Sequence, residues 1–131
     1  MIRCKRVYDP VAADDGQRVL VDRLWPRGCR KEALELTAWL RDAAPSSELR
    51  QQLHQHPENF DEFRRLYRRQ LAGHPEYWQA LLAPARDGCL TLLFAARDQQ
   101  QNNAIVLAEF LEEELDRRGP PSSPVCYAGE L

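Results

Sequence analysis

Val19-Leu20-Val21-Asp22-Arg23-Leu24-Trp25-Pro26-Arg27-Gly28 opens as a short run of branched apolar residues, the mark of a strand buried on both faces. Its chemistry then changes within two residues. Asp22, Arg23, Trp25 and Arg27 crowd the point where the strand should end, and Pro26 and Gly28 prevent it from continuing. In open α/β sheets, ligands bind in the crevice beyond the carboxyl ends of the strands. Two guanidiniums, a carboxylate and an indole at such an end therefore form a candidate site. Arginine offers a planar fork of donors for phosphate or carboxylate, and the indole offers a stacking face. The competing arrangement is an internal salt bridge from Asp22 to Arg23 or Arg27, with Trp25 in the core.

A second strongly apolar run, Cys89-Leu90-Thr91-Leu92-Leu93-Phe94-Ala95-Ala96, predicts a second buried strand after the turn at Asp87-Gly88. A polar loop follows, containing Arg97 and Asp98, and then Asn102, a suitable N-cap for a helix with Ala104, Leu107, Ala108, Leu111 and Leu115 on one face. A strand, a polar loop and a helix start make a generic anion site, because free N–H groups and the helix dipole face the ligand. The alternative is a plain capped helix. If the two buried strands are parallel neighbours, Arg23, Arg27, Arg97 and Asn102 share one rim.

The remaining pattern fits an α/β domain with a small, largely parallel central sheet flanked by helices. Residues 2–8 read as a strand ended by Asp9-Pro10, and Asp14-Asp15-Gly16 as a turn. The loop of about nine residues between the first two strands is short for a parallel crossover, which leaves open whether those strands pair. Residues 31–42 fit both periodicities. Ala44-Pro45-Ser46-Ser47 predicts a break and a helix over 47–54. A second helix begins at Pro57 and carries Phe60, Phe63, Tyr67 and Leu71 on one stripe. A third begins near Pro75, and Pro84 is expected to end or kink it.

Cys4-Lys5-Arg6-Val7-Tyr8-Asp9-Pro10, the 15–28 segment, Trp39, Ala44-Pro45-Ser46, Glu48-Leu49-Arg50, Phe63 with Tyr67, Leu92-Leu93-Phe94-Ala95-Ala96 and Asn102 together resemble the DUF488 family, in its short YeaO-like branch. The resemblance covers about residues 1–117 and favours a strand through 34–41. It implies no particular activity, although some members carry a transcription-regulator label. Longer relatives bear Cys-His-Arg after the strand corresponding to 89–96, where this chain has Asn102-Asn103-Ala104. Cysteine–histidine chemistry therefore does not carry over.

Composition sets the remaining bounds. At 131 residues the chain suits one domain, here 1–118, that can bury a core without disulfides or metal. Pro120-Pro121-Ser122-Ser123-Pro124 marks residues 119–131 as a Pro/Ser-rich tail, disordered by default. A net charge of −2 gives no global attraction to nucleic acid or anionic membranes. Met1-Ile2-Arg3-Cys4-Lys5-Arg6 lacks the apolar core of a signal peptide. Cys4, Cys29, Cys89 and Cys126 have no CxxC spacing and read as free thiols in a reducing cytoplasm.

Arg64, Arg65, Arg68 and Arg69 form a basic stripe that suits either phosphate contact or a solvated helix end. His54, His56 and His74 read as loop or turn residues rather than metal ligands. No dinucleotide, P-loop, nucleophile-elbow or zincin motif occurs. The expectation is a cytoplasmic protein, of uncertain status as an enzyme, that needs no metal or cofactor. It would bind an anionic or nucleotide-like small molecule through Arg23, Trp25, Arg27, Arg97 and Asn102. Asp22 and Asp98 are the acid/base candidates. The alternative is a nucleic-acid-binding regulator using the helices of residues 47–83.

Overall fold

The computed structural model describes residues 1–119. Of the tail expected over 119–131, all but Gly119 lies outside them, Cys126 included. Four strands, β1 (Ile2–Arg6), β2 (Gln17–Leu20), β3 (Ala38–Trp39) and β4 (Leu90–Phe94), form one sheet in the order β1-β4-β2-β3, with every pair parallel. The two apolar runs thus occupy the middle, where both faces are covered. The register places Val19 beside Leu92 and Leu20 beside Leu93, and Val21 extends the ladder by donating its N–H to the Leu93 carbonyl at 3.1 Å.

Alternation along the strands divides the core in two. Val19, Val21, Leu90, Leu92 and Phe94 face a large helical layer, whereas Leu20 and Leu93 face a small cluster with Val7 and Leu34. The large layer comprises α2 (Ser47–Gln55), α3 (Phe60–Ala72), α4 (Leu82–Asp87) and α5 (Asn103–Arg118). Helix α1 (Lys31–Leu34), a single turn, belongs to the thin face. Trp78 packs edge-on to Phe110 and donates its indole N–H to the Leu71 carbonyl, locking the 75–81 segment against α3 and α5.

Three local expectations are corrected. Residues 34–41 contribute only a two-residue strand, because Glu35 at φ 48° ends α1 in the left-handed region immediately upstream. The third helix is instead two 3-10 turns, Pro75–Tyr77 and Gln79–Leu81, followed by α4. Pro84 does not end that helix, which runs on to Asp87. It occupies the first turn, where an N–H has no intrahelical acceptor, so nothing is lost. As for the question the sequence left open, β1 and β2 do not pair: β4 lies between them.

The β1–β2 connection, residues 7–16, crosses β4 without a full helix. Ten extended residues reach about 33 Å, enough to return along a five-residue strand and pass one neighbour. A buried polar knot fixes this crossover. Asp15 is 1% exposed and takes charge-assisted bonds from Lys5 Nζ at 2.9 Å and Arg18 Nη1 at 2.6 Å. Thr91 donates to the Asp15 carbonyl, and Arg18 Nε donates to that of Leu34. Gly16, at φ +65°, lies so close to Cys89 that a Cβ would sit 2.2 Å from its carbonyl oxygen.

Cys4, Cys29 and Cys89 are free thiols. Burial, with Glu112 and Glu109 nearby, pushes the Cys4 thiol up to about 12. No helix among the described residues is long and apolar enough to cross a membrane.

Candidate functional site

The parallel pairing of β2 and β4 brings Asp22, Arg23 and Arg97 out at one edge of the sheet. The chain leaves β2 toward α1 on the thin face and leaves β4 toward α5 on the thick face. Connections that part to opposite faces open a crevice between neighbouring strands, the usual ligand position in such sheets.

Here Asp22 lies in that crevice. Its Oδ2 accepts the Ala95 N–H at 2.9 Å, and its Oδ1 accepts Asn103 Nδ2 at 3.0 Å. The same Asn103 amide bonds the Val21 carbonyl at 3.0 Å, and Trp39 Nε1 donates to the Asp22 carbonyl at 2.7 Å. One residue thus ties the ends of β2 and β4 to the first turn of α5. Burial raises the Asp22 carboxyl above the ordinary carboxylate range, while the Asn103 amide, the Ala95 N–H and the Arg50 charge act in the opposite sense. Neither salt bridge considered for Asp22 forms among the described residues; its partners are neutral donors.

The other expected residues have varied surroundings. Arg23 turns away from Asp22 and donates Nε to the Pro45 carbonyl at 3.2 Å and Nη2 to that of Ala44 at 3.4 Å. Trp25 is half-buried and meets Trp39 edge-on at 5.3 Å, with its indole N–H on the Cys29 carbonyl. It belongs to the thin-face cluster. Arg27 and Arg97 are exposed, without ion pairs among the described residues.

Asn102 is fully buried. Its side chain accepts the Ile105 N–H and donates to the Asp98 carbonyl, so it caps α5 rather than meeting a ligand from solvent. Asp98 is exposed, and the Gln101 and Gln100 N–H groups on its Oδ1 hold its carboxyl below the ordinary range.

Several residues at this edge escaped sequence reasoning. Arg6 donates to the Ala96 and Ala95 carbonyls and lies 4.8 Å over the Tyr8 ring, whose hydroxyl donates to the Arg27 carbonyl. Asn103 had a signal, as the second of two consecutive asparagines, but its partner lies 81 residues away. Arg41 stacks 4.9 Å over Trp39. Arg23, Arg41, Trp39, Leu40, Asp42, Glu76 and Tyr77 surround an open groove of about 560 Å³ beside the ends of β2 and β3.

Three of the four arginines in the α3 stripe are ion-paired, and Arg69 has no ion pair among the described residues. Arg64 reaches Asp61 and Glu109, Arg65 reaches Glu62, and Arg68 reaches Glu113. Of the histidines, His56 and His74 face Glu58 and Glu76. Among the described residues no group of three or more His, Cys, Asp or Glu is placed to hold a metal ion.

Fold and site together define a small open parallel α/β domain whose strand-end crevice is occupied by its own side chains. The chain belongs to the DUF488 family: a family model described as the inactive DUF488-N3 subclade matches residues 1–128. It is similar to the uncharacterized protein YeaO of Escherichia coli (strain K12), at 46% identity over 110 residues, covering 84% of this chain and 96% of YeaO. The uncharacterized protein Rv3073c of Mycobacterium tuberculosis is 42% identical over 114 residues, covering 84% of this chain and 92% of Rv3073c. No solved structure matches.

Proposed function

We propose that this chain binds an anionic small molecule at the carboxyl ends of its strands and does not transform it. The anion would sit in the groove beside β2 and β3. The observation that carries this reading is the convergence of Arg23 and Arg41, from the ends of neighbouring strands, on one groove with Trp39 and Tyr77 in its walls. Guanidiniums beside aromatic walls suit a carboxylate or phosphate on a small organic body. Arg27 and Arg97 complete a basic rim that steers anions toward this edge.

The binding-only reading draws support from the two acid/base candidates. Both Asp22 oxygens hold internal donors, and Asp98 is spent on its own loop. The family description points the same way.

Thermal shift with phosphate, citrate and acetate tests the proposal. A ligand at about a hundred times its Kd stabilises by about 2.7 kcal/mol, a shift of several degrees. Arg41→Ala should abolish that shift while leaving the unliganded melting temperature almost unchanged, since the exposed Arg41 side chain makes no hydrogen bond among the described residues and its stacking on Trp39 contributes only about 0.5–1 kcal/mol at an exposed site. A shift that survives Arg41→Ala and Arg23→Ala but vanishes in Arg27→Ala or Arg97→Ala would refute this placement.

A further inference from the structure

The groove holds more than its two arginines. Asp42 and Glu76 line it as well, so two cations and two carboxylates share one open cavity. No ion pair within 4.0 Å joins any two of these four groups among the described residues. Arg23 is turned to backbone carbonyls, Arg41 lies on the Trp39 ring, and Glu76 takes only His74, at 3.0 Å. Asp42 has no side-chain partner among the described residues. Opposite charges that line one cavity without pairing can each meet a complementary group of a ligand.

We infer that the groove selects a zwitterionic ligand of amino-acid or dipeptide type, with its carboxylate on Arg23 and Arg41 and its ammonium toward Asp42 and Glu76. This rests on the anion-binding reading above and narrows it. A purely anionic ligand would meet both arginines but suffer repulsion from both carboxylates. An added ammonium turns that repulsion into attraction, and the discrimination arises from the difference. A volume of about 560 Å³ falls within the range of small-ligand sites and exceeds what a bare ion needs. Trp39 and Tyr77 give the ligand's uncharged middle an apolar surface.

Two matched probes test the inference on the full chain. Glycylglycine and N-acetylglycine present the same carboxylate and amide on bodies of similar size, and only glycylglycine carries an ammonium. Titrations followed by amide chemical shifts at fixed ionic strength should show glycylglycine binding about fivefold more tightly, the scale expected of exposed charge pairs. The Asp42→Asn, Glu76→Gln double variant should remove that preference while N-acetylglycine binds no worse. Arg41→Ala should weaken both probes.

If the probes bind equally and both depend on Arg41, the zwitterion inference falls and the anion-binding reading stands. If neither responds to Arg41→Ala or Arg23→Ala, both fall.

Discussion

The sharpest test of the strand-end architecture is Asp22→Asn. Asp22 accepts the Ala95 N–H at 2.9 Å and Asn103 Nδ2 at 3.0 Å. A carboxamide has one oxygen, so it can replace only one of these acceptors, and its NH2 then faces a donor. Rotating the Asn103 amide to meet that NH2 would sacrifice the bond from Asn103 to the Val21 carbonyl. Either way one bond is lost. A hydrogen bond to a charged group contributes about 1.5–3 kcal/mol, offset in part by relief of carboxylate desolvation, so the net cost should be about 1–2 kcal/mol. For a domain of this size that lowers Tm by about 3–8 °C.

The pH dependence of the same comparison supplies the refuting result. Burial raises the folded-state pKa of Asp22 above its ordinary value of 3.8. On acidification the folded chain then takes up a proton before the unfolded chain does. Wild-type stability therefore rises relative to Asp22→Asn as pH falls through the folded pKa toward the unfolded one. Urea denaturation between neutrality and about pH 4 should show the gap between the two proteins widening. A gap that narrows would mean that Asn103, Ala95 and Arg50 outweigh desolvation, so that burial does not govern the charge state of the crevice.

Two further predictions concern the crossover. Asp15→Asn leaves Arg18 buried without its charge partner and should cost about 3–5 kcal/mol by chemical denaturation. Its titration runs opposite to that of Asp22: burial alone would raise the carboxyl, but the Ala12 N–H, Lys5 and Arg18 hold it down to about 2, so its contribution is complete above 3.8 and is lost as pH falls through about 2. Gly16→Ala should be worse than a loss of backbone freedom, because at φ +65° the added Cβ meets the Cys89 carbonyl at 2.2 Å; a destabilisation of about 3 kcal/mol or more, or insoluble expression, is expected. A Gly16→Ala protein with native stability would show that this approach is not close.

What could be read from the sequence was whatever depends on local pattern. Two apolar runs determined the middle of the sheet, because only strands covered on both faces tolerate such continuity. Ser46 and Asn102 marked the starts of α2 and α5 through their own capping bonds. The 31–42 region resisted because α1 is one turn and β3 two residues, too short for either period to accumulate. The site was legible in its location but not in its wiring. Arg23 could be assigned to the right strand end, yet its carbonyl partners lie 21 and 22 residues away. Arg41 lay in the ambiguous stretch and had no reason to be singled out. Phosphate contact stayed open for the arginines of α3, beside the solvated helix end, because the α5 carboxylates opposite Arg64 and Arg68 are 45 residues distant.

The position of Asn103 links the family description to the proposed binding site. Where longer relatives resembling this chain carry a Cys-His-Arg motif, this chain has Asn102, the cap of α5, and Asn103, the first helical residue. A cysteine or histidine at such a helix start would stand over the crevice with the helix dipole behind it, an arrangement that lowers a thiol pKa and attracts anions. Asparagine at 103 supplies neither nucleophile nor proton carrier. It instead supplies the amide that binds Asp22 across the crevice. A negative charge held internally at that point disfavours a second, incoming anion by like-charge repulsion. Under the proposed reading, an anion would therefore bind further out, in the groove lined by Arg23 and Arg41. On this argument, Asp22→Asn should leave the Arg41-dependent thermal shift intact, because Asp22 meets the groove wall only through its backbone carbonyl, on Trp39, and its carboxylate does not line the groove. Loss of that shift in Asp22→Asn would place the ligand in the crevice itself.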